Sequence, residues 1–230
     1  MDHTQPFPPS VCAIGSCQDL KEAIDNDRQA VEMTPSDHSE WPLHLNSLSD
    51  RLECRYRLTG ERQDLDESIE RAHEAVRATP LNHPNRAAYL NNLSNRFQAQ
   101  YERTGDEQDL ETAIKYAQQA VDATSFDDSH RAACSSSLSN WLESRYGRTG
   151  KMLDLEEAIC KSLVAVQTTP SGHVKRAGYS ADLGNQFGIR YNRTENLQDL
   201  EEAIVQLREA LRTTPLNPED KSVYLNNLGN

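Results

Sequence analysis

Cysteines, aromatics and long apolar runs are all scarce in this chain, and each scarcity closes off a class of folds or functions. The five cysteines, Cys12, Cys17, Cys54, Cys134 and Cys160, are odd in number and form no C-x-x-C pair. That disfavours a disulfide framework or a zinc ribbon and predicts reduced thiols. Aromatic residues make up 6% of the 230 residues and hydrophobic residues 36%, with a mean hydropathy of -0.78. Such a chain is polar for a compact globule, yet Leu, Ala and Ile recur too regularly for disorder. No stretch approaches a membrane span, and the N-terminus, with Pro6, Pro8 and Pro9, holds no apolar run of signal-peptide length. A membrane partner is therefore not expected. Lys and Arg number 24 against 36 Asp and Glu, a net charge of -12, and such a surface repels phosphate backbones, so nucleic acid is not expected either. The chain has no G-x-x-x-x-G-K-[ST] phosphate loop, and neither a cofactor nor a metal is expected. Asn92-Leu93-Ser94 and Asn192-Arg193-Thr194 match the glycosylation tripeptide but carry little weight without a secretory signal, and a cytoplasmic location is expected.

What the chain does have is a repeat. Asp-Leu stands at Asp19-Leu20, Asp64-Leu65, Asp109-Leu110, Asp154-Leu155 and Asp199-Leu200, so every interval equals 64 − 19 = 45 residues. Ile24, Ile69, Ile114, Ile159 and Ile204 keep the same period, as do Tyr56, Tyr101, Tyr146 and Tyr191, and Thr34, Thr79, Thr124, Thr169 and Thr214. A period that never slips predicts units stacked on near-identical neighbours. Each unit carries two helical patterns. Leu65, Ile69, Ala72, Val76 and Thr79 make one stripe, with Asp64 as the expected N-cap and Glu67 completing a capping box. The helix should end before Pro80, because proline cannot continue it. Leu90, Leu93, Phe97 and Tyr101 make the other stripe, stopped at Thr104-Gly105 by a left-handed glycine cap. No stretch alternates with period two, so no strand is expected.

Read from the second pattern into the next unit, the chain resembles the tetratricopeptide repeat (TPR), W-x2-L-G-x2-Y, then A-x3-F-x2-A, then P. Leu90, Leu93, Ser94 and Phe97 fall on its first helix, and Leu183-Gly184 with Phe187 match it more fully. Ala113, Ala117, Ala120 and Ser125 fall on its second helix, and Ala203, Leu207, Ala210 and Pro215 are a better copy. The family's unit has about 34 residues, so the unit here is expanded, in its first helix and in its long loop. This expanded form is similar to repeat regions of large fungal proteins that also carry NTPase or CHAT (caspase-like protease) domains. The resemblance implies an all-α, right-handed superhelical solenoid of antiparallel helix pairs. Residues 1–18 are expected to be a flexible leader and residues 19–230 the array, read as truncated at its C-terminus.

In TPR-like solenoids the first helix of each pair lines the concave groove, so the resemblance places an amide ladder there. Asn46, Asn91 and Asn226 share one register, Asn92 and Asn227 the next, and Asn95, Asn140, Asn185 and Asn230 another. A carboxamide donates and accepts, so such a ladder can grip the backbone of an extended peptide. Arg51 and Arg96 can add carboxylate recognition. Leu43, Ala88, Ala133 and Gly178 occupy a register where a C-terminal carboxylate clamp would want lysine, which disfavours that ligand. Alternatively, the amides bridge adjacent helices or solvate a face. Arg86, Arg131 and Arg176 recur at helix starts, where a cation opposes the dipole, and are expected to pair with acidic neighbours. His130 and Cys134 stand i, i+4 but lack a third ligand or an orienting group. His38, His83 and His173 recur in the inter-helix loop, with Asp128 and Pro218 in the other copies. Catalysis would not need triplicate histidines. The expected function is a non-enzymatic scaffold that binds a peptide or protein segment in the groove. The alternative is a sensor or oligomerisation arm of a larger NTPase- or CHAT-type signalling protein. The identity of the partner and the oligomeric state stay open.

Overall fold

The computed structural model describes residues 17–125 and 128–213. Among them are nine α-helices and no strand: α1 (Cys17–Met33), α2 (Trp41–Thr59), α3 (Arg62–Ala78), α4 (Arg86–Thr104), α5 (Glu107–Asp122), α6 (Arg131–Thr149), α7 (Met152–Thr168), α8 (Arg176–Thr194) and α9 (Leu197–Thr213). Most of the expected leader, Thr214, Pro215, Pro218, Asn226, Asn227 and Asn230 lie outside the described residues. The helices fall into two compact units, Met1–His83 and Pro84–Asn230. In the first unit α2 packs on α1 and on α3. In the second, α4 pairs with α5, α6 with α7 and α8 with α9, while α5 packs on α6, α7 on α8, and α6 also touches α4 and α8. The expected all-α architecture of helix pairs is the one found. Among the described residues no helix is long and apolar enough to cross a membrane.

Two-residue turns reverse the chain within each pair, and their chemistry is local. The last threonine of α2, α4, α6 and α8 donates to the carbonyl four residues back and accepts the backbone N–H two residues on. Gly60, Gly105 and Gly150 then take left-handed φ of 75°, 69° and 67°, a region that costs L-residues energy and glycine none. In the fourth pair the same bend is made by Glu195, at φ 57°. Replacing Glu195 by glycine should therefore stabilise the chain by about 1 kcal/mol, read as a higher urea midpoint; an unchanged midpoint would mean that the bend carries no strain.

The Asp-Leu aspartates do not cap their helices. α3 begins at Arg62, so Asp64 already lies inside it, and the preceding residues, Glu61 and Lys151 at the corresponding turns, make no side-chain cap bond. Asp106 does, accepting from the Gln108 N–H at 2.9 Å, and so does Asn196 before α9, accepting from the Gln198 N–H at 3.1 Å. Three of the four buried aspartates are instead held by a forked arginine nine residues back on the paired helix, while Asp109 is held by Gln100 and Thr104. Arg55 donates to Asp64 at 2.7 and 2.5 Å, Arg145 to Asp154 at 3.1 and 2.7 Å, and Arg190 to Asp199 at 2.9 and 2.6 Å. Glu67 takes no part in a box either; it accepts from Arg28 on α1 at 2.6 Å.

Arg131 and Arg176 also depart from expectation. Arg131 donates to the Val121 and Thr124 carbonyls at 3.3 and 2.9 Å, and Arg176 donates to the Val166 carbonyl at 2.5 Å and to that of Thr169. Their hydrogen-bond partners are carbonyls ending the preceding helix, the negative pole of its dipole, and the Arg176 charge also acts on Glu209. In the loops, His38 and His173 accept the N–H of Glu40 and Lys175 through Nδ1, each at 3.2 Å, and Asp128 accepts that of His130 at 2.7 Å. The recurring histidine is a turn acceptor, which is why aspartate can replace it.

The core follows the expected stripes. Leu20, Ile24, Leu48, Leu52 and Cys54 form it in the first unit; Leu155, Ile159, Val166, Leu183, Phe187 and Ala203 form one cluster in the second. Cys54 is disulfide-bonded, whereas a reduced thiol was expected; no C-x-x-C spacing announces such a bridge. Cys134 and Cys160 are free. Buried serines tie each pair together: Ser49, Ser94 and Ser139 donate to the carbonyls of Ser68, Ala113 and Ala158 at 2.8, 2.8 and 2.7 Å. In the second unit each also receives a bond from the following pair, Trp141 Nε1 to Ser94 and Gln186 Nε2 to Ser139, both at 2.8 Å. In the fourth pair the serine becomes Gly184, and a Cβ there would stand 2.8 Å from Leu207 Cγ.

Candidate functional site

The candidate ladder residues fall into two groups. In the first unit Asn46 is 8% exposed and donates to Asp50 at 3.0 Å, and Arg51 is bound to Asp27 at 2.5 Å. In the second unit Asn91 is 9% and Arg96 2% exposed. These four side chains are turned into the protein or held by an acidic neighbour. Asn92, Asn95, Asn140 and Asn185 are partly exposed. Of these, Asn95 on α4, Asn140 on α6 and Asn185 on α8 occupy one register of three helices in which α6 packs against both of the others. The structure thus brings three of the predicted amides to successive packed helices and buries Asn46, Asn91 and Arg96.

Sequence reasoning missed a second feature of the same helices. Glu143, one turn after Asn140 on α6, accepts from Gln186 Nε2 at 2.9 Å. Asp182, one turn before Asn185 on α8, lies close enough to Glu143 to feel its charge. Burial, and then the Glu143 charge, push the Asp182 carboxyl up to about 7. Burial also holds Glu143 above the usual carboxylate range, against the lowering effect of the Gln186 bond. Tyr179, one turn before Asp182 on α8, is pushed up to about 12 by burial first and then by Asp182 and Cys134. Periodicity could not show this pair. The Asp182 register reads Ser47, Asn92, Ser137, Asp182, and the Glu143 register reads Glu53, Gln98, Glu143, Gly188. A search for recurrence passes over such departures.

The His130 and Cys134 pair is no activated nucleophile. Cys134 is buried, its thiol faces the Ala87 carbonyl at 3.9 Å, and burial pushes it up to about 12, so it stays protonated at neutral pH. Among the described residues no group of three or more His, Cys, Asp or Glu is placed to hold a metal ion.

Residues 86–128 match the family model of the tetratricopeptide repeat. Solved structures share the fold over most of the chain. A kinesin light chain-like protein of Podosopora anserina with nearly identical TPR-like repeats is 18% identical, covers 82% of this chain and 87% of its own, and has a TM-score of 0.58. MamA is 16% identical, with 90% and 92% covered and a TM-score of 0.57. BtubC (BKLC) from P. vanneervenii is 16% identical, with 91% and 82% covered and a TM-score of 0.59. At such identities the likeness is one of fold. No curated protein gives a match.

Proposed function

Taking the chain as a TPR-like repeat protein, we propose that it binds a peptide or protein segment on the face of α4, α6 and α8 that carries Asn95, Asn140 and Asn185. TPR-like folds generally mediate protein–protein interaction, which is the coarse part of this reading. The finer part rests on one observation: three partly exposed amides stand at one register of three packed helices. A carboxamide offers both a donor and an acceptor, the complement of a peptide unit, so a row of them suits an extended backbone whatever its side chains. Asn46, Asn91 and Arg96 are buried and Arg51 is held by Asp27, so the reading is placed on the partly exposed register instead.

The test is a selection of peptides from a random library on the purified chain, followed by affinities for the triple variant Asn95→Ala, Asn140→Ala, Asn185→Ala. With each lost amide contact contributing about 1 kcal/mol, the triple variant should bind about a hundredfold more weakly at an unchanged melting temperature. Equal affinity of the two proteins would remove the amide face from the interaction.

A further inference from the structure

We propose that an open cleft between α7 and α9 is a docking site for an acidic peptide segment, whose carboxylate side chain it takes. None of its residues belongs to the amide register of α4, α6 and α8, so the two readings can fail separately.

The cleft has a volume of about 420 Å³. Among the described residues its walls come mainly from Val166 near the end of α7, Arg176 at the start of α8, and Val205, Arg208, Glu209 and Arg212 along α9. Both α7 and α9 pack on α8, which holds the two walls in place. Three guanidinium groups thus line one cleft against a single described carboxylate, in a chain whose net charge is -12. That carboxylate is already engaged. Glu209 accepts from Arg212 Nε and Nη2 at 2.9 and 2.8 Å, and this bond first of all holds it below the usual carboxylate range. Arg176 turns its Nη1 to the carbonyls of Val166 and Thr169. Arg208 is exposed and makes no hydrogen bond or ion pair with any described residue. The cleft therefore has an excess of positive charge and donors, and an anion entering it meets an arginine that has no other partner to give up.

A lone exposed arginine says little. The repeat sets these apart. The registers of Val205, Arg208 and Arg212 read Glu70, His73 and Arg77 in α3, Lys115, Gln118 and Asp122 in α5, and Cys160, Leu163 and Gln167 in α7. Duplication did not supply the cluster; among the described helices at this place in the unit it occurs in α9 alone. Its chemistry selects the ligand. A guanidinium takes a carboxylate edge-on through two parallel N–H bonds. Val205, 56% exposed, and Val166 offer apolar surface to the methylenes that carry a glutamate carboxylate. A phosphate fits less well, because its larger charge is repelled more strongly by the acidic chain as a whole.

The test uses the whole chain with capped tetraglutamate as probe and capped tetraglutamine as control, at about 0.15 M salt to screen diffuse charge effects. The Arg208 Nε–H resonance should move saturably with tetraglutamate and stay still with tetraglutamine. Arg208→Gln should bind tetraglutamate about tenfold more weakly at an unchanged melting temperature. Arg62→Gln removes the same charge from α3, where the Arg62 side chain is 70% exposed, and should bind the probe as the parent does. Three results would overturn the cleft: an Arg208 signal that tetraglutamate leaves in place, equal weakening by Arg208→Gln and Arg62→Gln, or a signal moved by inorganic phosphate and not by tetraglutamate. Loss of tetraglutamate binding in the triple variant Asn95→Ala, Asn140→Ala, Asn185→Ala would put the acid on the amide face and overturn it as well. Library peptides that ignore those three amides, with tetraglutamate still moving Arg208, would remove the amide face and leave the cleft standing.

Discussion

Replacing Asp154 by alanine should lower the unfolding free energy by about 3 kcal/mol, the largest single-residue loss expected away from the apolar core. The Asp154 side chain is 6% exposed and takes both bonds of the Arg145 fork. Its removal strands a guanidinium whose side chain is 25% exposed. Two facts hold the loss at the low end of the range for buried pairs: solvent reaches part of Arg145, and Arg145 keeps its bond to Glu111 at 2.9 Å. The chain contains its own reference. Asp109, at the same register, is held by neutral donors, the Gln100 amide at 2.8 Å and the Thr104 hydroxyl at 3.2 Å. Urea unfolding of Asp154→Ala and Asp109→Ala side by side measures what the charge adds. Equal losses would reduce the arginine fork to an ordinary hydrogen bond.

The second large effect has the opposite sign and depends on pH. Because the folded-state carboxyl of Asp182 is raised from 3.8 to about 7, the folded chain holds a proton that the unfolded chain releases. Well below pH 4 both states are protonated and the residue costs nothing. As pH rises from about 4 to 7 the unfolded state ionises first, stability falls, and the full cost is present above pH 7. The groups around it add no relief: Glu143 on α6 is a carboxyl, and Tyr179 on α8 is shifted upward by the same burial. Asp182→Asn should therefore stabilise the chain by about 2 kcal/mol at pH 8 and hardly at all at pH 4. The figure is roughly half of what the whole shift would imply, since Asp182 is only partly buried and water screens it. Urea midpoints of both proteins at the two pH values decide it. A gain equal at pH 4 and pH 8 would come from packing and not from charge.

The helices were legible because their signals are local. Gly60, Gly105 and Gly150 end α2, α4 and α6 where the stripes stop, and the period of 45 carries the boundaries from one pair to the next. The misread residues are those whose partners come from another helix. Asp64 has the look of a cap, because aspartate favours helix starts, but its true partner, Arg55, reaches it from the other side of a turn. Arg131 and Arg176 oppose the dipole of their own helices, yet they lie beside the carbonyl end of the helix before. The amide ladder was half legible. Recurrence located Asn95, Asn140 and Asn185, but exposure cannot be read from a period, and Asn46 and Asn91, at a register just as regular, are buried. Glu143 and Asp182 were illegible because each meaningful contact is made once.

The exchange of serine for Gly184 beneath Leu207 bears on how such a chain can change over time. At the registers of these two residues the earlier pairs have Ser49 with Ala72, Ser94 with Ala117, and Ser139 with Ser162, and the fourth has Gly184 with Leu207. Bulk lost on one helix is regained on its mate, and a serine carried into the fourth pair would collide with Leu207. The bonds from Trp141 and Gln186 back to Ser94 and Ser139 similarly fit each pair to its predecessor. Duplication supplied interchangeable copies, but drift has since made them a numbered series, so that a recombination that transposes two of them inherits mismatched joints on both sides.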